Sequence, residues 1–176
     1  TADCAPILMF DNNNKMIAAI HAGWKGAYKE IVKRVLNFMS KKENFIIDYS
    51  AEPKIDGISA SLTYKNGKFI KGLSRGDGKE GEDITANIET IKDIPKRILA
   101  KDFPEEIDIR GEVYIQNSDF VTLKDKFANP RNAASGSLRQ KKPEDTSKIP
   151  LRFIAYTYGF EKGLKIDNQF EFLKKL

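Results

Sequence analysis

The sequence contains few of the residues that small proteins use for covalent or metal cross-links. It has one cysteine, Cys4, and one histidine, His21, among 176 residues. A single cysteine excludes an internal disulfide framework. No apolar run approaches the roughly 20 residues that a membrane-spanning helix needs, and the first residues lack the basic and apolar segments of a signal peptide. These absences predict a cytoplasmic protein with no membrane partner.

The residues that are present give an ordinary globular composition with a modest basic excess. Hydrophobic residues make up 40% and charged residues 31%, which is typical of a folded domain. Thirty Lys and Arg against 25 Asp and Glu give a net charge of +5. This charge suits an anionic partner, although charge alone does not identify one. Some basic residues cluster late in the chain, namely Arg131, Arg139, Lys141 and Lys142.

The spacing of apolar residues predicts an α+β fold with an antiparallel-rich sheet, preceded by a β-hairpin and a helix. The hairpin is expected over 5–20 and its helix over 26–40. Asn66 and Gly67 predict a tight turn between two later strands, because both turn positions need a positive φ. The remaining predicted elements are strands over 46–52, 58–64, 69–73, 107–115 and 151–158, helices over 84–92, 118–126 and 168–176, and loop with short helix over 127–150.

Five motifs in a fixed order give residues 43–176 a family resemblance. The K-x-D-G pattern at 54–57 is weak alone, since four residues often recur by chance. It is followed by S-R-G-D-G at 74–78, G-E-D-I-T-A-N at 81–87, R-G-E-V-Y at 110–114 and F-A-N-P-R-N-A-A-S-G-S-L-R-Q at 127–140. With these motifs, residues 43–176 resemble the adenylation domain of bacterial NAD-dependent DNA ligases. ATP-dependent ligases and capping enzymes share the K-x-D-G core but not the stretch over 127–140, which is the most family-specific of the five motifs.

The resemblance implies an ATP-grasp-like nucleotidyltransferase core and a catalytic lysine. Lys54 would attack the α-phosphorus of NAD and become adenylated, with Asp56 orienting it. Only a neutral amine is nucleophilic, and we expect the end of a buried strand to desolvate Lys54 partially. Cofactor binding would fall to Glu52 at the adenine, Arg75 near the ribose and phosphate, and Glu112 at a ribose hydroxyl.

The same resemblance implies phosphate contacts and a nucleic-acid partner. Arg131 and Arg139 would contact phosphates of the cofactor or of nicked double-stranded DNA, since a planar guanidinium can hold phosphate oxygens in pairs. Mg²⁺ would neutralise the phosphates during transfer. Binding to DNA would be directed mainly at phosphates and would weaken with salt.

Several parts of the ligase family are not found in these 176 residues. They include the upstream domain that captures the nicotinamide half of NAD and two downstream strands that each carry an essential lysine. The zinc finger, helix-hairpin-helix and BRCT modules are not found either. We therefore expect a core that is incomplete at both ends and impaired in ligation, and catalytic activity itself stays open.

Residues 1–42 carry motifs of another kind. T-A-D-C at 1–4 and H-A-G-W-K-G at 21–26 resemble the laccase-domain family (polyphenol oxidase, purine nucleoside phosphorylase-like). That family binds zinc through these motifs, so Cys4 and His21 would be remnant zinc ligands. A zinc site needs at least three protein ligands, and the chain has no further Cys or His. A working zinc site is therefore not expected.

Three functions follow from these resemblances. The first is lysine adenylation for the sealing of nicks in DNA replication and repair, by a truncated and impaired domain. The second is a non-catalytic remnant that binds nucleotide or DNA. The third is a fragment of a zinc-dependent purine nucleoside enzyme, inherited from residues 1–42. An AMP adduct on Lys54 separates the first from the others.

Overall fold

The structure is a computed structural model that describes residues 5–11, 16–22, 29–40, 52–75, 81–166 and 168–175. The chain divides into two compact units, Thr1–Ile55 and Asp56–Leu176. The division falls inside the K-x-D-G motif, whereas the boundary predicted from sequence lies at 42/43. In the described part of the chain, no helix is long and apolar enough to cross a membrane.

The first unit contains the predicted hairpin and helix. Strands β1 (Ala5–Asp11) and β2 (Met16–Ala22) pair in antiparallel fashion, and helix α1 spans Ile31–Ser40. Apolar residues of the hairpin and of one face of α1 share a small core. The predicted helix over 26–40 starts too early, because Glu30 has a φ of 53° and a left-handed residue does not continue a right-handed helix. Residues 26–28 lie outside the described residues.

The second unit is built on a four-stranded antiparallel sheet in the order β4-β3-β5-β6. Its strands are β3 (Ile58–Lys65), β4 (Lys68–Ser74), β5 (Glu106–Tyr114) and β6 (Arg152–Lys162). Asn66 and Gly67 have φ values of 49° and 74°, which confirms the predicted turn. An α+β fold with antiparallel sheets is therefore confirmed. The strand predicted over 46–52 falls almost wholly outside the described residues.

Short helices connect and cover the strands of the second unit. They are α2 (Thr85–Ile88), α3 (Asn117–Phe120), α4 (Pro130–Leu138), α5 (Pro143–Thr146) and α6 (Gln169–Lys175), with a 3₁₀ turn over Val121–Leu123. The helix predicted over 84–92 ends after one turn. The Thr90 hydroxyl and amide both bond to the carbonyl oxygen of Asn87, which tightens the backbone there. The helix predicted over 118–126 is α-helical only over Asn117–Phe120 and continues as the 3₁₀ turn over Val121–Leu123.

The two faces of the sheet differ in polarity. On β3, Ala60, Leu62 and Tyr64 are buried and join the main core. Ser59, Ser61 and Thr63 alternate with them and point to the other side, since side chains alternate along a strand. The sheet thus has a core face, covered by helices and connecting segments, and a polar face that is only partly buried.

Candidate active site

The polar face of the sheet brings Glu112 together with hydroxyl groups from two other strands. Glu112 lies on β5 directly opposite Ser59 of β3 and is partly buried. The hydroxyl oxygens of Ser59 and Tyr156 are 2.9 Å apart, which ties β3 to β6 on this face. Further along, the Thr63 hydroxyl donates to Oδ1 of Asp108 at 2.6 Å. This face therefore carries carboxylate and hydroxyl groups from three strands.

Gly57 fixes the K-x-D-G backbone against β5. A Cβ atom at this position would lie 2.2 Å from the carbonyl oxygen of Val113 and 2.9 Å from Cγ of Glu112. No side chain fits at such distances. The motif's glycine therefore allows a close approach of two backbones, and it places Asp56, its neighbour, next to the strand that carries Glu112.

Helix α4 carries Arg131 to Asp56. Asn129 caps the helix by accepting a hydrogen bond from the amide of Asn132 at 2.8 Å, and Pro130 occupies its first turn, a position that suits proline. Nη1 of Arg131 donates to Oδ1 of Asp56 at 3.2 Å. Two predicted site residues, 75 positions apart in sequence, are thus brought together by the structure.

The other end of α4 carries Arg139 to Glu82. Nε of Arg139 lies 2.8 Å from a carboxylate oxygen of Glu82. Glu82 is held in turn by the end of β4, because its carbonyl oxygen accepts a hydrogen bond from the amide of Ser74 at 3.0 Å. Arg75 follows Ser74 and is exposed. The start of the G-E-D-I-T-A-N motif thus meets the end of the long family-specific stretch.

Both arginines are about half exposed, as are their carboxylate partners. Surface ion pairs of this kind contribute little to stability. Their geometric effect is larger, since each carboxylate restricts a long side chain to one region. A guanidinium has five N–H donors, so each arginine keeps further donors beside the one that faces its carboxylate.

Lys54 and Glu52 belong to the first unit by the division of the chain, and both are exposed. The described backbone over 52–56 forms no strand. The partial desolvation predicted for Lys54 is therefore wrong for this structure, because the buried strand end that was expected to supply it does not extend over these residues. Their roles as nucleophile and adenine contact stay predictions.

The side chains of the two predicted remnant zinc ligands lie outside the described part of the structure. Cys4 lies outside the described residues, and His21 lies in β2 with its side chain undescribed. Among the residues that the structure does describe, no group of three or more His, Cys, Asp or Glu side chains could hold a metal ion.

An apolar cavity of about 310 Å³ lies on the core face of the sheet, away from these charged residues. It is lined by core residues such as Leu62 and Ile109 and by the segment around Pro95. Tyr64 donates its hydroxyl to the carbonyl oxygen of Pro95 at 2.8 Å, and burial raises the pKa of Tyr64 to about 12. The cavity is partly open to solvent, and the charged side chain in its described lining is a carboxylate, that of Asp93, with no lysine or arginine to hold a phosphate.

Sequence reasoning missed two members of the site, Glu82 and Tyr156. Glu82 lies inside a motif that was recognised, but its partner Arg139 is identified only by the fold. Tyr156 lies on a predicted strand, and the alternation of serine and threonine over 59–63 was the available signal that this sheet has a polar face.

Comparison with known proteins connects this arrangement to one family. The family model for the NAD-dependent DNA ligase adenylation domain matches residues 12–176. The match begins well upstream of residue 43 and so includes much of the stretch that resembles the laccase-domain family. Nothing in the comparisons supports that second resemblance.

Curated relatives are similar to most of this chain. A DNA ligase of Pelagibacter ubique is 66% identical over 148 residues, which is 84% of this chain and 22% of that protein. The DNA ligase of Parvibaculum lavamentivorans is 46% identical over 149 residues, covering 80% of this chain and 21% of that protein. The chain thus spans about a fifth of the length of these relatives. It belongs to the family of NAD-dependent DNA ligase adenylation domains.

Proposed function

We propose that this chain carries out the lysine adenylation step of an NAD-dependent DNA ligase, on a nucleotidyltransferase core, with nicked double-stranded DNA as the macromolecular partner. The observation that carries the proposal is the contact between Asp56 of the K-x-D-G motif and Arg131 of the family-specific stretch. Two family motifs far apart in sequence converge there, next to a polar sheet face.

In this proposal Lys54 is the nucleophile. Its neutral Nζ attacks the α-phosphorus of NAD, forming a P–N bond while the P–O bond to nicotinamide mononucleotide breaks. The amine loses its proton to solvent, and the leaving phosphate takes the electron pair of the broken bond. Asp56, oriented by Arg131, keeps the motif backbone in place for the attack, since catalysis of phosphoryl transfer depends mainly on positioning and electrostatic stabilisation.

Three residues are proposed to bind the ribose, phosphate and adenine of the cofactor. Glu112 would accept a hydrogen bond from a ribose hydroxyl, Arg75 would lie near the ribose and phosphate, and Glu52 would contact the adenine. Arg131 and Arg139 would contact phosphates of the cofactor or of DNA. Mg²⁺ is usually held by one or two carboxylates together with substrate phosphates, so the carboxylates present are compatible with it. When bound, it would neutralise phosphate charge.

Intact-mass measurement after incubation with NAD and Mg²⁺ tests this function. We expect a mass increase of one AMP that is located on Lys54 by peptide mapping and reversed by added nicotinamide mononucleotide. The matched control is Lys54→Ala, which keeps the fold because Lys54 is exposed. A folded chain that gains no adduct contradicts the proposal.

One observation favours the non-catalytic alternative. Lys54 is exposed, and an exposed amine lacks the desolvation that activates many lysine nucleophiles. Under this alternative the chain binds nucleotide or nicked DNA without reacting. Binding of nicked duplex by a chain that forms no adduct would select it.

Zinc content after purification tests the third function, in which residues 1–42 and the ligands Cys4 and His21 act in a purine nucleoside enzyme.

A further inference from the structure

Asn87 and Thr146 form a buried hydrogen-bond chain that the proposed roles do not use. Asn87, in α2, is 8% exposed, and Thr146, at the end of α5, is fully buried. Nδ2 of Asn87 donates to the carbonyl oxygen of Gln140 at 2.9 Å and to Oγ1 of Thr146 at 2.7 Å. The Thr146 hydroxyl donates onward to the carbonyl oxygen of Ser137 at 2.9 Å.

The two accepting carbonyl groups flank Arg139 in the chain. The last four carbonyl groups of a helix lack partners within the helix, and Ser137 lies in the last turn of α4. The buried chain of Asn87 and Thr146 supplies partners for Ser137 and for Gln140, just beyond the helix. The backbone is therefore anchored on both sides of Arg139.

The segment that anchors this backbone also holds the carboxylate partner of Arg139. Glu82 and Asn87 lie in the same motif, 81–87. Glu82 is tied to Ser74 of β4 by two hydrogen bonds, from the Ser74 amide at 3.0 Å and from the Glu82 amide to the Ser74 hydroxyl at 3.3 Å. One short segment thus fixes the backbone of Arg139 through Asn87 and the direction of its guanidinium through Glu82.

We infer that Asn87 and Thr146 are positioning residues that hold Arg139 in place for phosphate contact. The inference rests on the proposed role of Arg139 and extends it to two buried residues that touch no ligand. Without the hydrogen bonds of Asn87 and Thr146, the backbone at the end of α4 would adopt more conformations. The guanidinium of Arg139 would then spend less time where a phosphate can reach it. The phosphate can be that of NAD or of nicked DNA, so the experiment has an arm for each.

The key variant is Thr146→Val, which keeps the side-chain shape but removes the hydroxyl, and its matched control is Thr146→Ser, which keeps the hydroxyl. Arg139→Ala is the reference. The first arm measures binding of labelled nicked duplex DNA against salt concentration. Loss of one phosphate contact lowers the steepness of log K against log [salt] by about 0.9. The second arm measures the dissociation constant for NAD by calorimetry, where loss of a charge-assisted contact raises it by about tenfold.

We expect Thr146→Val to show the same change as Arg139→Ala, in salt dependence or in the dissociation constant for NAD, in whichever arm the arginine variant has an effect. Thr146→Ser should match the wild type. The Thr146→Val/Arg139→Ala double variant should show no change beyond that of Arg139→Ala. A purely structural role would lower the melting temperature but leave the salt dependence and the dissociation constant for NAD unchanged. Asn87→Ala provides a second variant that keeps the bond between Thr146 and Ser137.

The outcomes separate this inference from the proposed function. If Arg139→Ala has an effect and folded Thr146→Val and Asn87→Ala do not, the inference is overturned and the role of Arg139 stands. If Arg139→Ala has no effect in either arm, both the inference and the proposed phosphate contact of Arg139 are overturned. Lysine adenylation is still judged by its own mass measurement. If neither buried variant folds, hydrogen exchange on the wild type decides, since rapid exchange of the Gln140 amide would contradict an anchored backbone.

Discussion

Ser137 combines full burial with an unsatisfied hydroxyl. Its Oγ is the one buried side-chain oxygen or nitrogen without a partner among the residues that the structure describes. A buried polar group without a partner carries an uncompensated desolvation cost. The backbone carbonyl of the same residue is satisfied by Thr146, so the side chain contributes packing alone.

Replacing Ser137 with alanine should therefore be neutral or stabilising. We expect Ser137→Ala to raise the free energy of unfolding by up to about 1 kcal/mol in urea denaturation. Thr146→Val is the contrasting variant, since it removes a satisfied hydroxyl and should cost about 1–3 kcal/mol. A clear loss of stability in Ser137→Ala would mean that its hydroxyl has a partner after all.

Two glycines should respond in opposite ways to an added methyl group. Gly57→Ala would place Cβ against the carbonyl oxygen of Val113 and should cost about 1–3 kcal/mol, in line with other overpacked sites. Gly136→Ala, inside α4, meets only Cε1 of Phe127 at 3.7 Å and should gain about 0.5–1 kcal/mol from reduced chain entropy. Urea denaturation of both variants measures the contrast, and equal effects would contradict the steric argument.

Single residues of the candidate site could be named from the sequence only where a family motif contained them, and their roles stay predictions. Asp56, Arg131 and Arg139 were identified in the sequence by their motifs. That Arg139 meets Glu82 was not predictable, because the contact depends on how the segment over 81–84 pairs with the end of β4. The exposure of Lys54 was not predictable either, since strand ends cannot be placed from periodicity to within a few residues.

At the scale of elements, the cap of α4 is the feature most open to test. Asn129→Ala removes the side-chain oxygen that accepts from the Asn132 amide and should lower the free energy of unfolding by about 1 kcal/mol. Gln116→Ala is the matched control, because Gln116 precedes α3 without a side-chain capping bond. Comparable losses in the two variants would show that the cap of α4 contributes nothing specific.

Acid should weaken the start of α2. The pKa of Asp83 lies below its ordinary value of 3.8, first because the Thr85 hydroxyl donates to its carboxylate and then because the Thr85 amide does. A carboxyl with a lowered pKa stabilises the folded state above its unfolded pKa, and this contribution is lost as the pH falls through the folded value. Asp83→Asn should therefore be less stable than the wild type at neutral pH, with the difference shrinking below about pH 4. A pH-independent difference in urea denaturation would contradict this.

Elements were predicted best where local chemistry determines them. The turn at Asn66 and Gly67 requires positive φ at both positions, and those residues favour it without help from the rest of the fold. Helix lengths were predicted less well. The helix expected over 84–92 stops after Ile88 because Thr90 and the partners of Asn87 redirect the backbone, and those partners come from residues more than fifty positions away.

At the scale of the whole molecule, the two units differ in the size of their described cores. In the first unit the buried apolar residues are Met9, Ile20 and Met39, while Leu8 and Ile17 on the other side of the hairpin are more than 70% exposed. The second unit has a continuous core that includes residues from all four strands. Buried apolar area is the main source of stability, so the units should differ in stability.

Hydrogen exchange followed by mass spectrometry measures this difference. We expect amides of β1, β2 and α1 to exchange through a low-energy opening that leaves β3 and β5 protected, since local stability follows core contacts. The protection of the first unit should disappear at a denaturant concentration at which the second unit is still folded. Simultaneous loss in both units would show that they unfold as one.

The carboxylate partners of Arg131 and Arg139 have a further consequence for how an anion is selected. The chain as a whole carries a net charge of +5, which attracts any anion from a distance. Close to α4, however, each guanidinium already has a negative neighbour, so an incoming group must compete with it. A monoanion gains little by such an exchange, whereas a phosphate bearing more charge and more oxygens gains more. If Arg131 and Arg139 contact phosphate as proposed, their carboxylate neighbours would make them favour highly charged phosphates over chloride or acetate. The net charge of the chain would not discriminate among these anions.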